Sequence, residues 1–234
     1  ESSHDSLLLD VFNSSIRYNI ISNKDYIVQN FFIGWDSEIL SYRNKLLDTI
    51  LTNQSVSLDF SKRKRNNSFR LVGNFYPLGY KKNNYEINFL YESFILKDKK
   101  LKISADLSEF RPVFEINNYQ SNHHFWDNKQ FNNILFWNAS AEISAGLFSL
   151  KSQINQAYRP IYFTEYSLPS QFDSSLQVIQ SSLNYNLIKK KYNLFTEIVY
   201  QYQGGAQILQ LPDWVGQVKF NYIFGNEKSN LKLS

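Results

Sequence analysis

The feature that most constrains this chain is an alternation of polarity along strand-length segments, which recurs from about residue 10 to residue 234. In a β-strand successive side chains point to opposite faces, so a period of two gives the strand one apolar and one polar face. The chain therefore predicts a sheet with two faces of different character. The clearest segments are residues 69–75, 85–95, 135–145, 148–158, 192–202 and 214–224.

The charged residues respect this division. In residues 85–95, Ile87, Phe89 and Tyr91 share one face, whereas Glu86 and Glu92 share the other. No charge falls on the apolar face of residues 85–95, 135–145, 192–202 or 214–224. A Lys or Arg that faces lipid at the bilayer midplane costs roughly 2–4 kcal/mol, so this exclusion is expected of a lipid-exposed face.

Composition supports a protein with one apolar and one wetted surface. Aromatic residues make up 17% of the 234 residues, with 19 Phe and 16 Tyr, yet the mean hydropathy is −0.41. No apolar run approaches the roughly 18–20 residues that a membrane-spanning helix needs. If the chain meets a membrane, it does so through strands or at the surface.

Twelve candidate strands fall into six pairs, each joined by a tight polar turn. Longer connections separate the pairs, at residues 36–50, 77–84, 109–133, 159–175 and 203–213, and these carry all five prolines. Outer-membrane barrels divide short turns and long loops between their two ends in this way.

These observations predict an all-β fold, an antiparallel transmembrane β-barrel of about 12 or more strands in a single domain over residues 1–234. Alternation alone also fits a soluble barrel with the apolar face turned inward, such as a glycan-binding β protein. Strand lengths near 9–11 residues, Trp and Tyr at strand ends and the sorted loops favour the membrane. The alternation is weakest over residues 10–35.

The polar face of the predicted barrel would line its lumen. Because both signs of charge occur there, we expect weak ion selectivity in a passive channel for small solutes. The expected lumen-lining residues are Arg17, Arg70, Glu86, Lys102, Asp106, Glu142, Lys151, Glu197 and Lys219.

No motif for catalysis, metal binding or cofactor binding accompanies this pattern, so the chain is expected to be no enzyme and to hold no cofactor. There is no cysteine. Adjacent residues on an extended chain point apart, so His123 and His124 are interpreted as ordinary loop histidines. Basic runs such as Lys189 to Lys191 are interpreted as turns at a membrane or solvent boundary, not as a nucleic-acid site.

Three stretches resemble the putative porins of Bacteroidota, a family of outer-membrane β-barrels. They are residues 79–85, Gly-Tyr-Lys-Lys-Asn-Asn-Tyr; Arg111-Pro112 followed by residues 119–128; and residues 208–216, Ile-Leu-Gln-Leu-Pro-Asp-Trp-Val-Gly. The resemblance covers most of the chain. It implies a bacterial outer-membrane location with membrane lipid and lipopolysaccharide as partners, and it transfers no functional residue.

The loop over residues 109–133 carries a second expectation. Its aromatic residues Phe114, Tyr119, Phe125 and Trp126 would dock a partner or plug the barrel. In the alternative function, the barrel conducts little and serves as a subunit of a larger surface complex with other outer-membrane proteins or lipoproteins. Because such barrels tend to end in an aromatic-terminated strand and this chain ends in Leu-Lys-Leu-Ser, the sequence is also expected to be a segment of a longer protein.

Overall fold

The computed structural model describes residues 8–24, 26–43, 48–96, 98–120, 125–128, 131–205, 209–224 and 231–233. Within these ranges the chain is almost entirely β-structure, with a single short helix, α1, at Phe114–Asn117. None of the described residues form a helix long and apolar enough to span a membrane, a finding that has no bearing on spanning by strands.

Twelve strands form one antiparallel sheet, and their order in the sheet follows their order in the chain. In sheet order they are β1 (Leu8–Lys24), β2 (Ile27–Arg43), β3 (Asp48–Lys64), β4 (Asn67–Gly79), β5 (Tyr85–Leu96), β6 (Lys99–Phe110), β9 (Ile134–Ala145), β10 (Phe148–Tyr158), β13 (Ser175–Ile188), β14 (Tyr192–Gly205), β15 (Trp214–Phe224) and β16 (Leu231–Leu233). Two small hairpins lie outside the sheet: β7 (Asn118–Gln120) with β8 (Phe125–Asp127), and β11 (Ile161–Phe163) with β12 (Pro169–Gln171).

All twelve predicted segments are strands of this sheet, but two predicted connections were wrong. Residues 36–43 continue β2 and residues 48–50 begin β3, so most of the predicted connection at 36–50 is strand. Similarly, β4 continues to Gly79, which shortens the connection predicted at 77–84. The physical reason lies in the side chains. Beyond Ile39 the alternation reverses, so that Leu40 and Tyr42 lie on the face that is polar elsewhere in β2, where Asp36 and Glu38 lie.

The connections differ at the two ends of the sheet. At the turn end, β3 and β4 are joined by Arg65 and Asn66, and β9 and β10 by Gly146 and Leu147. Gly146 has φ +57°, a left-handed conformation that glycine adopts without strain. At the loop end, the two long connections leave β6 and β10 and contain the two hairpins.

The register defines the two faces of the sheet, because directly paired residues of antiparallel strands place their side chains on the same side. Asp106 pairs with Asn88 on β5 and Asn138 on β9, which places them on the polar face. Leu107 pairs with Trp137 on the apolar face. The register continues these two faces across the sheet from β1 to β15.

The apolar face is exposed. Its side chains include Ile143 and Val218, which are 52% and 68% exposed. Within the part of the chain that the structure describes, the buried hydrophobic residues are Leu40, Tyr42 and Phe114 alone. A soluble barrel with its apolar face turned inward would bury these side chains, so the arrangement is the opposite of that alternative.

Across the sheet, each row of paired residues also shifts gradually from the turn end toward the loop end. A row of paired residues that begins at Lys24, the turn end of β1, reaches Gly216 on β15, close to the loop end of that strand. Such stagger accompanies strands that tilt across a curved sheet. Among the described residues, β1 pairs only with β2, and β16 is the last strand at the other edge.

Candidate functional site

The polar face brings the predicted lumen-lining residues together. The register shows that all nine lie on this one face, and three of them, Lys102, Glu142 and Lys151, stand directly beside each other in one row. Their role in conduction stays a prediction. The nine are Arg17 on β1, Arg70 on β4, Glu86 on β5, Lys102 and Asp106 on β6, Glu142 on β9, Lys151 on β10, Glu197 on β14 and Lys219 on β15.

Several charges on this face are compensated by acidic residues that the sequence analysis did not select. Arg70 makes two hydrogen bonds to the Asp59 carboxylate, from Nε at 3.2 Å and from Nη2 at 2.6 Å. Arg17 lies 3.6 Å from Asp36. Alternation had placed Asp59 in a strand but had left Asp36 in a connection, and only the register shows that both acids face the predicted cations.

The second half of the polar face carries a ladder of amide side chains. Gln153 donates to Gln180, and Gln180 Nε2 donates to Gln201 Oε1 at 2.9 Å. Gln201 Nε2 in turn donates to the Pro212 carbonyl at 2.7 Å. Each amide group donates a hydrogen bond to the next acceptor, so the ladder is polar although its side chains carry no charge.

A groove of about 470 Å³ lies over the polar side of β1 to β4. Its walls carry carboxylate groups, a guanidinium group, hydroxyl groups and amide groups. It can therefore hydrogen-bond water or polar solutes of either charge sign. Residues that line it include Arg17, Asp36, Glu38, Asp59, Asn74 and Tyr76.

The helix α1 docks onto this same face. The ring of Phe114 lies 5.0 Å from the ring of Tyr42, and Leu40 completes a small buried cluster. Leu40 pairs with Leu51, so the cluster covers the polar side of the loop-end tip of β2 and β3. Since β6 and β2 are four strands apart, the chain crosses roughly 19 Å of sheet between them.

Tyr80 connects the docked helix to the turn after β4. Its ring lies 6.1 Å from that of Phe114, and its hydroxyl donates to the Pro112 carbonyl at 2.9 Å. Asn117 Nδ2 donates to the Tyr80 hydroxyl oxygen at 2.6 Å. The guanidinium carbon of Arg111 stands 4.5 Å above the Tyr80 ring centroid, a cation–π arrangement.

A half-buried polar network around Asn53 holds the turn at Tyr80 in place. Lys81 Nζ lies 2.7 Å from Glu38 Oε2, and Asn53 Nδ2 donates to the same oxygen at 2.8 Å. Asn53 Oδ1 accepts the backbone N–H of Lys81 at 2.8 Å. The Asn53 side chain is fully buried, so its hydrogen bonds fix the turn against β3.

The four aromatic residues predicted to dock or plug are placed in three different environments. Phe114 is buried against the sheet. Tyr119 and Trp126 stack on each other, with ring centroids 4.6 Å apart, and Trp126 Nε1 donates to the Glu115 carbonyl at 3.0 Å. Phe125 is 67% exposed. The structure thus gives Phe114 a contact on the polar face and leaves Phe125 facing outward.

Burial raises the pKa values of the two tyrosines that contact Phe114. The pKa of Tyr42 rises to about 12, through burial first and then through the charge and hydrogen bond of Glu115. The pKa of Tyr80 is also raised by burial. Both hydroxyls are therefore neutral donors at ordinary pH.

Among the described residues, no group of three or more His, Asp or Glu side chains is placed to hold a metal ion. His123 and His124 lie outside the described residues.

The model of the family described as "Putative porin" matches residues 6–234. None of the curated proteins matches this chain significantly.

Proposed function

Because this chain belongs to the "Putative porin" family, we propose that it forms a transmembrane β-barrel in the bacterial outer membrane and lets small solutes diffuse passively through it. The function is that of a channel without catalysis. In this barrel the apolar face contacts lipid, the polar face lines the lumen, and membrane lipid and lipopolysaccharide surround the wall.

The observation that carries the proposal is the exposed apolar face. It extends over eleven strands, and its charged residues lie only near the strand ends. A monomeric soluble protein rarely exposes a contiguous apolar patch larger than a few hundred Å². A lipid bilayer covers such a surface and leaves the polar groups of the other face in water.

The lumen would select solutes by width and by charge. Opposite charges stand side by side, as at Glu142 and Lys151, so the field that either ion meets is small on average. The α1 segment crosses the same face at the loop end and narrows the mouth there. In this proposal Phe114 belongs to a plug, one of the two roles expected from the sequence, and it does not bind a partner protein.

Planar-bilayer recording of the purified protein tests the proposal. We expect discrete conductance steps and a cation-to-anion permeability ratio near one. A protein that inserts into the bilayer without conducting, or a ratio far from one, contradicts it. A protein that leaves the membrane fraction on carbonate washing contradicts the membrane location itself.

The loop end supports a second candidate, a barrel that conducts little and serves as a subunit of a larger surface complex. Phe125, Phe163 and Tyr166 are exposed there. Gln171 ties the two loops together through 2.8 Å hydrogen bonds to the backbone N–H and C=O of Asn132. Purification from native membranes in mild detergent distinguishes the candidates, since stoichiometric partner proteins or lipoproteins are expected only for the second.

A further inference from the structure

The charged residues of the apolar face are sorted by sign between its two ends. At the turn end the described charges on this face are all basic: Lys24, Lys62, Lys64 and Lys99. At the loop end they are Asp10, Arg43, Asp48 and Glu109. The four residues Lys24, Lys62, Lys64 and Lys99 are here named the apolar-face lysines.

The register places these lysines at the margin of the exposed apolar surface. Lys62 pairs with Phe69, and Lys24 and Lys64 both pair with Ile27. All four lysines are exposed, and none forms an ion pair with a described residue. A lysine in this position lays its aliphatic stem along the apolar surface and extends its ammonium group beyond the edge of that surface.

A second group of basic residues occupies the same end but not the same face. Arg63 lies on the polar face of β3, and Lys189, Lys190 and Lys191 form the turn between β13 and β14. These are here named the turn-tip cations. A soluble polyanion that approached the end of the sheet would meet the turn-tip cations first.

We propose that the apolar-face lysines bind the phosphate groups of anionic phospholipids in the membrane leaflet that meets the turn end. This inference rests on the membrane location proposed above. The lysines point sideways, toward whatever covers the apolar face, so their partner is a component of the membrane and not a nucleic acid or a wall polymer below it. The acidic majority at the loop end gives that margin no comparable attraction.

The expected effect is large because the four ammonium groups act on one lipid layer. A Lys or Arg close to an anionic membrane surface contributes roughly fivefold in affinity. Removal of all four positive charges is therefore expected to lower the preference for anionic lipid by roughly two orders of magnitude or more. The attraction should also weaken with added salt.

The test uses the whole protein reconstituted with mixed phosphatidylglycerol and phosphatidylethanolamine, and measures the lipids that stay bound in native mass spectrometry. The variant Lys24→Gln/Lys62→Gln/Lys64→Gln/Lys99→Gln keeps the polar side-chain ends but removes four charges. The matched control, Arg63→Gln/Lys189→Gln/Lys190→Gln/Lys191→Gln, removes four charges from the same end of the sheet.

We expect wild-type protein and the control to retain phosphatidylglycerol, and the apolar-face variant to lose this preference. Equal loss in both variants would overturn the proposal, since it would indicate attraction by net charge alone. Wild-type protein that is embedded and conducts without preferring phosphatidylglycerol would also overturn it, and would leave the channel function standing. Conductance recorded for each variant shows that it has folded.

Discussion

The Tyr42 side chain lies at the contact between the loop-end tip of β2 and the docked helix. Its hydroxyl is removed from water by Phe114 and faces the Glu115 carboxylate, with Glu38 adding further negative charge. Both burial and negative neighbours favour the neutral phenol over the phenolate, which raises its pKa. The protonated hydroxyl therefore helps to hold α1 in place.

This contact should loosen at alkaline pH. The folded-state pKa of Tyr42, about 12, lies above the ordinary value of 10.0. Its stabilising contribution is complete below pH 10 and is lost as the pH rises toward 12. Because the chain has no cysteine, a spin label at Val113→Cys, a position 58% exposed, can report on the segment. We expect label mobility to increase between pH 10 and pH 12.

The control is the same labelled chain with Tyr42→Phe. Phenylalanine keeps the ring packing but has no proton to lose, so the transition should shrink and leave only the part due to Tyr80. An identical alkaline transition in both chains would show that Tyr42 does not couple pH to docking.

At the scale of single elements, the sheet strands were predictable and the docked loop was not. Each strand repeats the same alternation, so its existence is encoded locally. The docking of α1 depends on Leu40, Tyr42 and Leu51, where the apolar residues change to the polar side of the sheet. In the sequence that change looks like a loss of alternation, which is why Leu40 and Tyr42 were assigned to a connection.

Some long-range information was nevertheless present in the family resemblance. Two of its stretches include Gly79-Tyr80 and Arg111-Pro112. The Tyr80 hydroxyl donates a hydrogen bond to the Pro112 carbonyl, although the two residues are 32 positions apart in the chain. The two stretches therefore meet at the Tyr80 side chain, which contacts Phe114 of α1. Sequence analysis identified these stretches as family-like but had no means of showing that they touch.

Removing the Phe114 ring should release α1 from the sheet. Phe114→Ala loses the buried contacts with Tyr42 and Tyr80, and a buried Phe→Ala change costs about 3 kcal/mol or more. In the proposed channel we expect larger single-channel conductance and faster proteolysis within residues 111–133. Phe125→Ala is the matched control, because that ring lies in the same loop and is exposed. Unchanged conductance in Phe114→Ala, or an equal rise in Phe125→Ala, would contradict a plugging role.

At the scale of the whole molecule, the sequence predicted which residues share a face. It did not predict which charged residues are paired on neighbouring strands. Alternation assigned Lys102, Glu142 and Lys151 to one face without any knowledge of strand register. The register adds that they lie in one row with Glu92, so that negative and positive side chains alternate over four neighbouring strands. Register arises from pairing between strands and turn geometry, which no single segment contains.

This alternating row predicts how the selectivity of the proposed channel can be changed. Lys102→Glu/Lys151→Glu converts the row into four adjacent carboxylates, and a ring or row of acidic groups favours cations in a pore. We expect the cation-to-anion permeability ratio to rise severalfold from near one, with a smaller rise in 1 M salt, where the Debye length falls to about 3 Å. Lys190→Glu/Lys191→Glu makes the same change in net charge at the turn tips, outside the row, and should alter the ratio little. If both double variants shift the ratio equally, overall charge and not this row sets selectivity; if neither does, the polar face does not line the path of the ions.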